Sequence, residues 1–229
     1  MRDVLKMKKV IYYVCRDHYE RDNEFNFKMV EYIKKSTIPI VWEDKKIEFE
    51  YKKDKLHKVF YHFPKFLRNF IRSIFKKCYK LRYYRMRREL KSGTKMDVIQ
   101  RIECMRRDIE RLSLEYRVYV MARSAGARWV SSIADTLKIE HIIAIGYPFK
   151  HPEEEEEVER YSHLKGLETP MTIIQGEHDE YGGKESLDKY PLSGKITLDF
   201  VQGEHDFKLE AHEWKGVFNK LSEILKGER

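Results

Sequence analysis

The chain has 229 residues, of which 41% are hydrophobic and 37% charged, with a formal net charge of +8. That length supports one sizeable core, and the expectation is a single domain carrying an insertion. No apolar run approaches the roughly 20 residues needed to cross a bilayer, and no N-terminal stretch has a signal-peptide core, so a soluble, cytoplasmic protein is expected. Cys15, Cys78 and Cys104 form no CxxC or Cys/His spacing, which points to free reduced thiols.

Lys9 to Val14 (KVIYYV) reads as a short β-rich strand, followed by a polar loop from Cys15 to Asn23. Phe25, Met29, Val30 and Ile33 then fall at helical spacing, and Pro39 precedes a second strand, Ile40 to Trp42. Lys46 to Tyr51 (KIEFEY) alternates and predicts another strand or hairpin arm.

From Lys52 to Arg107 the composition changes. That stretch holds 19 Lys and Arg against 4 Asp and Glu, an excess of +15, so the rest of the chain carries −7. Aromatic residues alternate with Lys and Arg, Pro64 interrupts them, and Leu67, Phe70, Ile71, Ile74 and Phe75 form one apolar helix face. We read residues 52–93 as a basic helical insertion or lid within a domain spanning 1–229. Such a stretch is most often a solvated face over core aromatics, and its charge suits an anionic ligand. Ser92-Gly93 breaks the helix, and Ile99, Ile102, Met105, Ile109 and Leu112 mark a second amphipathic helix.

The chain is organised around Val118 to Asp135 (VYVMARSAGARWVSSIAD), a strand, a tight turn and a helix with Ser124 at the turn. Small residues two positions to either side let so sharp a turn form, and the turn pushes the hydroxyl into the open above a helix N-terminus. His141 to Ile145 is another buried strand, ending in Gly146-Tyr147-Pro148, and the run Glu153 to Glu157 reads as the first turns of a helix. Met171 to Gln175 is a strand followed by GEHDEYGG, and Lys195 to Val201 is a strand followed by GEHDFK. No repeat of fold scale exists, and the repeated GEHD is better explained by chance or by similar turn chemistry. Leu209 to Leu225 is a helix. Strands alternating with helices predict the α/β class, with a mostly parallel sheet covered on both faces.

Ser124, Asp179 and His205 therefore follow one another in order, each just after a strand, as a nucleophile, acid and base would. Each has a plainer reading. Ser124 can be a helix N-cap, Asp179 an ordinary turn residue with Glu177 or Glu180 as rivals, and His205 a loop histidine with His178 competing. A metal site built from the two GEHD loops is disfavoured, because the spacing matches no ligand motif.

The segments ARSAG, GYPFKHP, QGEHDEYGG and GEHDFK, in that order, resemble the dienelactone-hydrolase-like branch of the α/β-hydrolase superfamily, over roughly Arg117 to Lys208. The resemblance implies an α/β-hydrolase fold in which Ser124 is the nucleophile, His205 the base and Asp179 the acid. Alanine stands where the family motif begins with glycine. No glycine occurs between Met1 and Ser92, so the family's glycine-rich oxyanion loop is missing. Beside Ala125, the second oxyanion donor then falls to a backbone N–H near Cys15 or Arg16. The expected activity is that of a serine hydrolase cleaving an ester or related acyl group of a small molecule or carbohydrate, with no metal or organic cofactor. Two other readings remain open: an O-acyltransferase acting on a carbohydrate hydroxyl, and a non-catalytic polyanion-binding module on a hydrolase scaffold.

Overall fold

The computed structural model describes residues 7–16, 22–87 and 98–227. By its internal contacts the chain divides into two compact units, residues 1–43 with 102–229 and residues 44–101.

The first unit is built on a parallel sheet of six strands in the order β2-β1-β3-β4-β5-β6 among the described residues. These are β1 (Lys8–Val14), β2 (Ile40–Trp42), β3 (Tyr116–Arg123), β4 (His141–Ile145), β5 (Met171–Gly176) and β6 (Ile196–Val201). Val10 to Val14, Val118 to Ala122 and all of β4 and β5 are buried. Helices cover both faces of a parallel sheet, so its inner strands read as continuous apolar runs and not as alternation. The register sets Val14 beside Ala122, Ala122 beside Ala144 and Ala144 beside Ile173, and thereby aligns the strand ends along one edge. From β1 the chain moves outward to β2, then returns past β1 to β3. The C-terminal ends of β1 and β3 flank this reversal, where open α/β sheets form their crevice.

Helix α1 (Asn23–Lys35) buries Phe25, Met29, Val30 and Ile33, the four residues whose spacing predicted it. The terminal helix (Ala211–Lys226) buries Trp214, Val217, Leu221, Ile224 and Leu225. Gly227, in the left-handed conformation at φ 76°, ends it. The glutamate run expected to open a helix does not. Residues 153–157 are non-helical, and a 3₁₀ turn begins only at Val158. Glu154 and Glu157 instead pair with Arg160, and Glu157 also with Arg128, contacts that hold the segment irregular.

The second unit carries α2 (Lys45–Val59) and α3 (Lys65–Arg87). The strand expected over Lys46 to Tyr51 is part of α2. Its alternation was misleading because the same residues place charges three and four apart: Glu48 lies 3.4 Å from Lys45 and 2.5 Å from Lys52. The Asp44 carboxylate accepts a hydrogen bond from the Ile47 N–H at 3.2 Å and caps the first turn. Of the apolar face expected on α3, Leu67, Ile71 and Phe75 are partly buried, whereas Phe70 and Ile74 are exposed. Phe75 stacks on Phe49 of α2 with ring centroids 5.6 Å apart. Helix α4 (Val98–Leu112) starts in this unit and continues into the first. Met105 and Ile109 join the core there, while Ile99, placed by sequence on the same face, is exposed. The Ser92-Gly93 break lies outside the described residues. No helix among the described residues is long and apolar enough to cross a membrane.

Candidate active site

Strand β3 delivers Arg123 and Ser124 to the sheet edge, and α5 (Ala125–Ser131) begins immediately after. Ser124 takes φ 50° and ψ −124°, a conformation that L residues avoid and that the surrounding structure must enforce. One such constraint is Gly126. A Cβ there would stand 2.8 Å from Val14 Cγ1 and 3.3 Å from the Cys15 carbonyl oxygen, so only glycine lets the turn approach the end of β1. The side chain of Ser124 makes no capping bond to α5. Ser124 is the N-cap of α5 by position alone. Ser124 is 7% exposed, a buried residue and not the open hydroxyl that the turn alone suggests, because its Oγ lies 2.9 Å from His205 Nε2.

The two GEHD segments follow neighbouring strands, β5 and β6. They lie against each other, with His178 N–H donating to the Gly203 carbonyl at 3.0 Å. Asp179 comes from the first and His205 from the second. His205 Nδ1 sits 3.0 and 2.9 Å from the two Asp179 carboxylate oxygens, so an unbroken chain of contacts runs from Ser124 to Asp179. With Nδ1–H turned to the carboxylate, Nε2 is left to accept from the serine. The rivals lie elsewhere: His178 and Glu180 are exposed, and Glu177 pairs with Lys184 at 3.3 Å. Asp179 is held by more than His205. Tyr181 N–H donates to Oδ1 at 2.8 Å and Gln175 Nε2 to Oδ2 at 2.9 Å. The ring of Tyr181 packs on the imidazole of His205 at 4.3 Å.

Gln175 is a residue that sequence reasoning passed over. Buried at the end of β5, it also donates to the carbonyls of Tyr147 and Gly182 and accepts the Tyr147 N–H at 2.7 Å, linking the loops after β4 and β5. Arg123 was missed in the same way. Its side chain is fully buried, and its guanidinium donates to the Ile145 carbonyl at 3.1 Å and to the backbone carbonyl of His205. It lies over the rings of Phe25 and Phe207, at 5.2 and 5.1 Å from their centroids. Asp22 lies 3.7 Å from Arg123 Nε and 2.8 Å from Arg16, which in turn reaches Asp206 at 2.8 Å. Burial pushes the Arg123 guanidinium below its usual pKa, against the opposing field of Asp22. Burial tends to raise Asp206, but the hydrogen bond and charge of Arg16 outweigh it and hold the carboxyl below its ordinary value. Gly146, at φ 63°, leaves room for this arginine, since a Cβ there would lie 2.4 Å from Arg123 Nη1. The available signal was a polar residue closing an otherwise apolar strand: Arg123 after VYVMA and Gln175 after MTII.

The six-stranded parallel sheet, the strained serine after β3, and the acid and histidine after β5 and β6 are the features of one fold family. A family described as an alpha/beta hydrolase domain matches residues 62–226. The chain belongs to the α/β-hydrolase family. Solved structures agree in fold across nearly the whole chain. A protein described as a hydrolase of the alpha/beta superfamily, from Xanthomonas campestris pv. campestris, is 10% identical. The alignment has a TM-score of 0.54 and covers 97% of this chain and 99% of that one. An alpha-beta serine hydrolase homologue from Coxiella burnetii is 15% identical with a TM-score of 0.54, covering 96% and 85%. The esterase domain of a Rhodothermus marinus protein is 8% identical with a TM-score of 0.52, covering 94% and 84%. No curated protein matches the sequence.

The loop after β1 is where the expected glycines are missing. Cys15 and Arg16 are both buried and stand beside the serine turn, while residues 17–21 lie outside the described residues. The Arg16 side chain is turned to Asp22 and Asp206. Cys15 Sγ lies 3.8 Å from the Asn26 side-chain oxygen. Among the described residues, no group of three or more His, Cys, Asp or Glu side chains could hold a metal ion.

Proposed function

We propose that this α/β-hydrolase is a serine hydrolase that cleaves an ester or related acyl substrate. The observation that carries the reading is the contact chain from Ser124 Oγ through His205 to Asp179, with both contacts of His205 within hydrogen-bond distance. Ser124 Oγ attacks the acyl carbon as His205 Nε2 takes its proton, and Asp179 stabilises the imidazolium and fixes its tautomer. The oxyanion that forms is met by the Ala125 N–H and by a backbone N–H of Cys15 or Arg16. His205 then gives its proton to the departing alkoxide, and a water activated by the same nitrogen releases the acyl group from Ser124.

The test is labelling by a fluorophosphonate probe together with hydrolysis of short p-nitrophenyl esters. Both are expected for the native chain, and Ser124→Ala should abolish labelling and lower turnover by about 10⁶-fold. Ester hydrolysis that survives in Ser124→Ala would overturn the assignment.

A further inference from the structure

The second unit exposes apolar residues in a pattern that its own packing does not use. Along α3, Phe66 is 76% exposed, Phe70 61%, Ile74 46% and Leu81 71%. The first three are spaced four apart and stack along one side of the helix. They are distinct from the side that packs within the unit, where Phe75 stacks on Phe49 and Ile71 shares a cleft with Leu56 and Phe60. The exposed stripe continues through the end of α2 and the turn before α3, where Val59, Tyr61 and Phe63 are 58%, 60% and 44% exposed. The sequence of α3 contains nine Lys and Arg and no Asp or Glu.

We propose that this helical hairpin docks on a lipid bilayer that carries anionic headgroups. A helix with an aromatic and aliphatic stripe, an abundance of Lys and Arg and no acidic residue has the composition that lies in a membrane interface. The apolar stripe enters the headgroup boundary, the long basic side chains reach to the phosphates, and the charge selects an anionic surface. A single-stranded nucleic acid would suit the charge and the rings but not the stripe. Bases stack on aromatic faces, and Val59, Ile74 and Leu81 offer none. The stripe is thus matched by a hydrocarbon boundary along its whole length. This docking does not depend on the chemistry assigned to Ser124.

The test is cosedimentation of the full chain with vesicles of phosphatidylcholine alone and of phosphatidylcholine mixed with phosphatidylserine, at about 0.1 M and about 1 M salt. Binding to the mixed vesicles is expected, weakened at high salt. Phe66→Ser with Phe70→Ser should weaken it at least about tenfold, and so should Lys76→Gln with Lys77→Gln. These side chains lie on the surface of α3, so unchanged circular dichroism and fluorophosphonate labelling would show that the variants are folded. Equal binding to both vesicle types, no binding to either, or binding indifferent to the Phe66/Phe70 pair would overturn the proposal. So would tighter binding to a single-stranded oligonucleotide than to the mixed vesicles.

Discussion

Arg123 and Lys76 carry the same charge into opposite surroundings. Arg123 is fully buried beside the proposed nucleophile, and its environment is specified atom by atom: two backbone carbonyls, two aromatic faces and the Asp22 carboxylate. Lys76 is exposed on a basic helix whose function, as we propose it, lies in summed charge and exposed apolar area. A buried charge is tolerated only when its partners are in place, so removing one leaves the others uncompensated. A surface charge keeps its water, and its loss is felt only by a partner. Substitutions in the two regions should therefore fail in different ways.

The largest expected effect is in the first region. Asp179→Asn keeps the size of the side chain but presents an amide where His205 Nδ1–H needs an acceptor, so ester turnover should fall by about 10⁴-fold. Steady-state kinetics on a p-nitrophenyl ester measures this, and retention of full turnover would remove Asp179 from the proposed machinery. Next comes Arg123→Ala, which should lower stability by about 3–5 kcal/mol in urea unfolding, because a fully buried side chain is truncated, two carbonyls lose a donor and Asp22 is left with Arg16 alone. A loss of less than about 1 kcal/mol would mean that the network is dispensable and the contrast between the two charges empty.

A smaller effect is expected at Asp206, whose carboxyl is held below its ordinary pKa with Arg16 as partner. A depressed folded pKa adds stability above the unfolded value, and this is lost as pH falls through the folded one. Asp206→Asn should thus cost at most about 1 kcal/mol near neutrality, since the side chain is 40% exposed and screened by solvent. The cost should vanish as the pH is lowered below the carboxylate range. Urea midpoints of the two proteins that fail to converge in acid would contradict the pairing. The smallest change belongs to the second region: Phe66→Ser with Phe70→Ser should move the unfolding free energy by no more than about 0.5 kcal/mol per site. A large loss of stability would show that the stripe is packing surface after all.

Ser124, Asp179 and His205 were legible in the sequence as candidates, as were all six strands, because β1, β3, β4 and β5 are largely buried apolar runs, β2 follows Pro39, and β6, though only partly buried, is rich in β-branched residues. What failed to read correctly was local. KIEFEY alternates like a strand, but its charges pair along a helix. The glutamate run suits a helix start, yet Arg128 and Arg160 draw it into an irregular segment. In both places ion pairs set the conformation against the pattern of polar and apolar residues.

The sequence by itself determined the alternation of strands and helices, the order of the three site residues and the location of the excess basic charge, since these depend on residue type and spacing along the chain. Only the tertiary structure decided that His205 and Asp179 meet beside Ser124 while His178 and Glu180 stay exposed. It also drew Arg123, Gln175, Asp22 and Arg16 into the support of the site. Those choices rest on the parallel pairing of β5 with β6 and of β1 with β3, which places residues far apart in sequence within a few ångströms of one another. Burial then requires every polar group brought there to find a partner, and no one-dimensional pattern names which partner it will be.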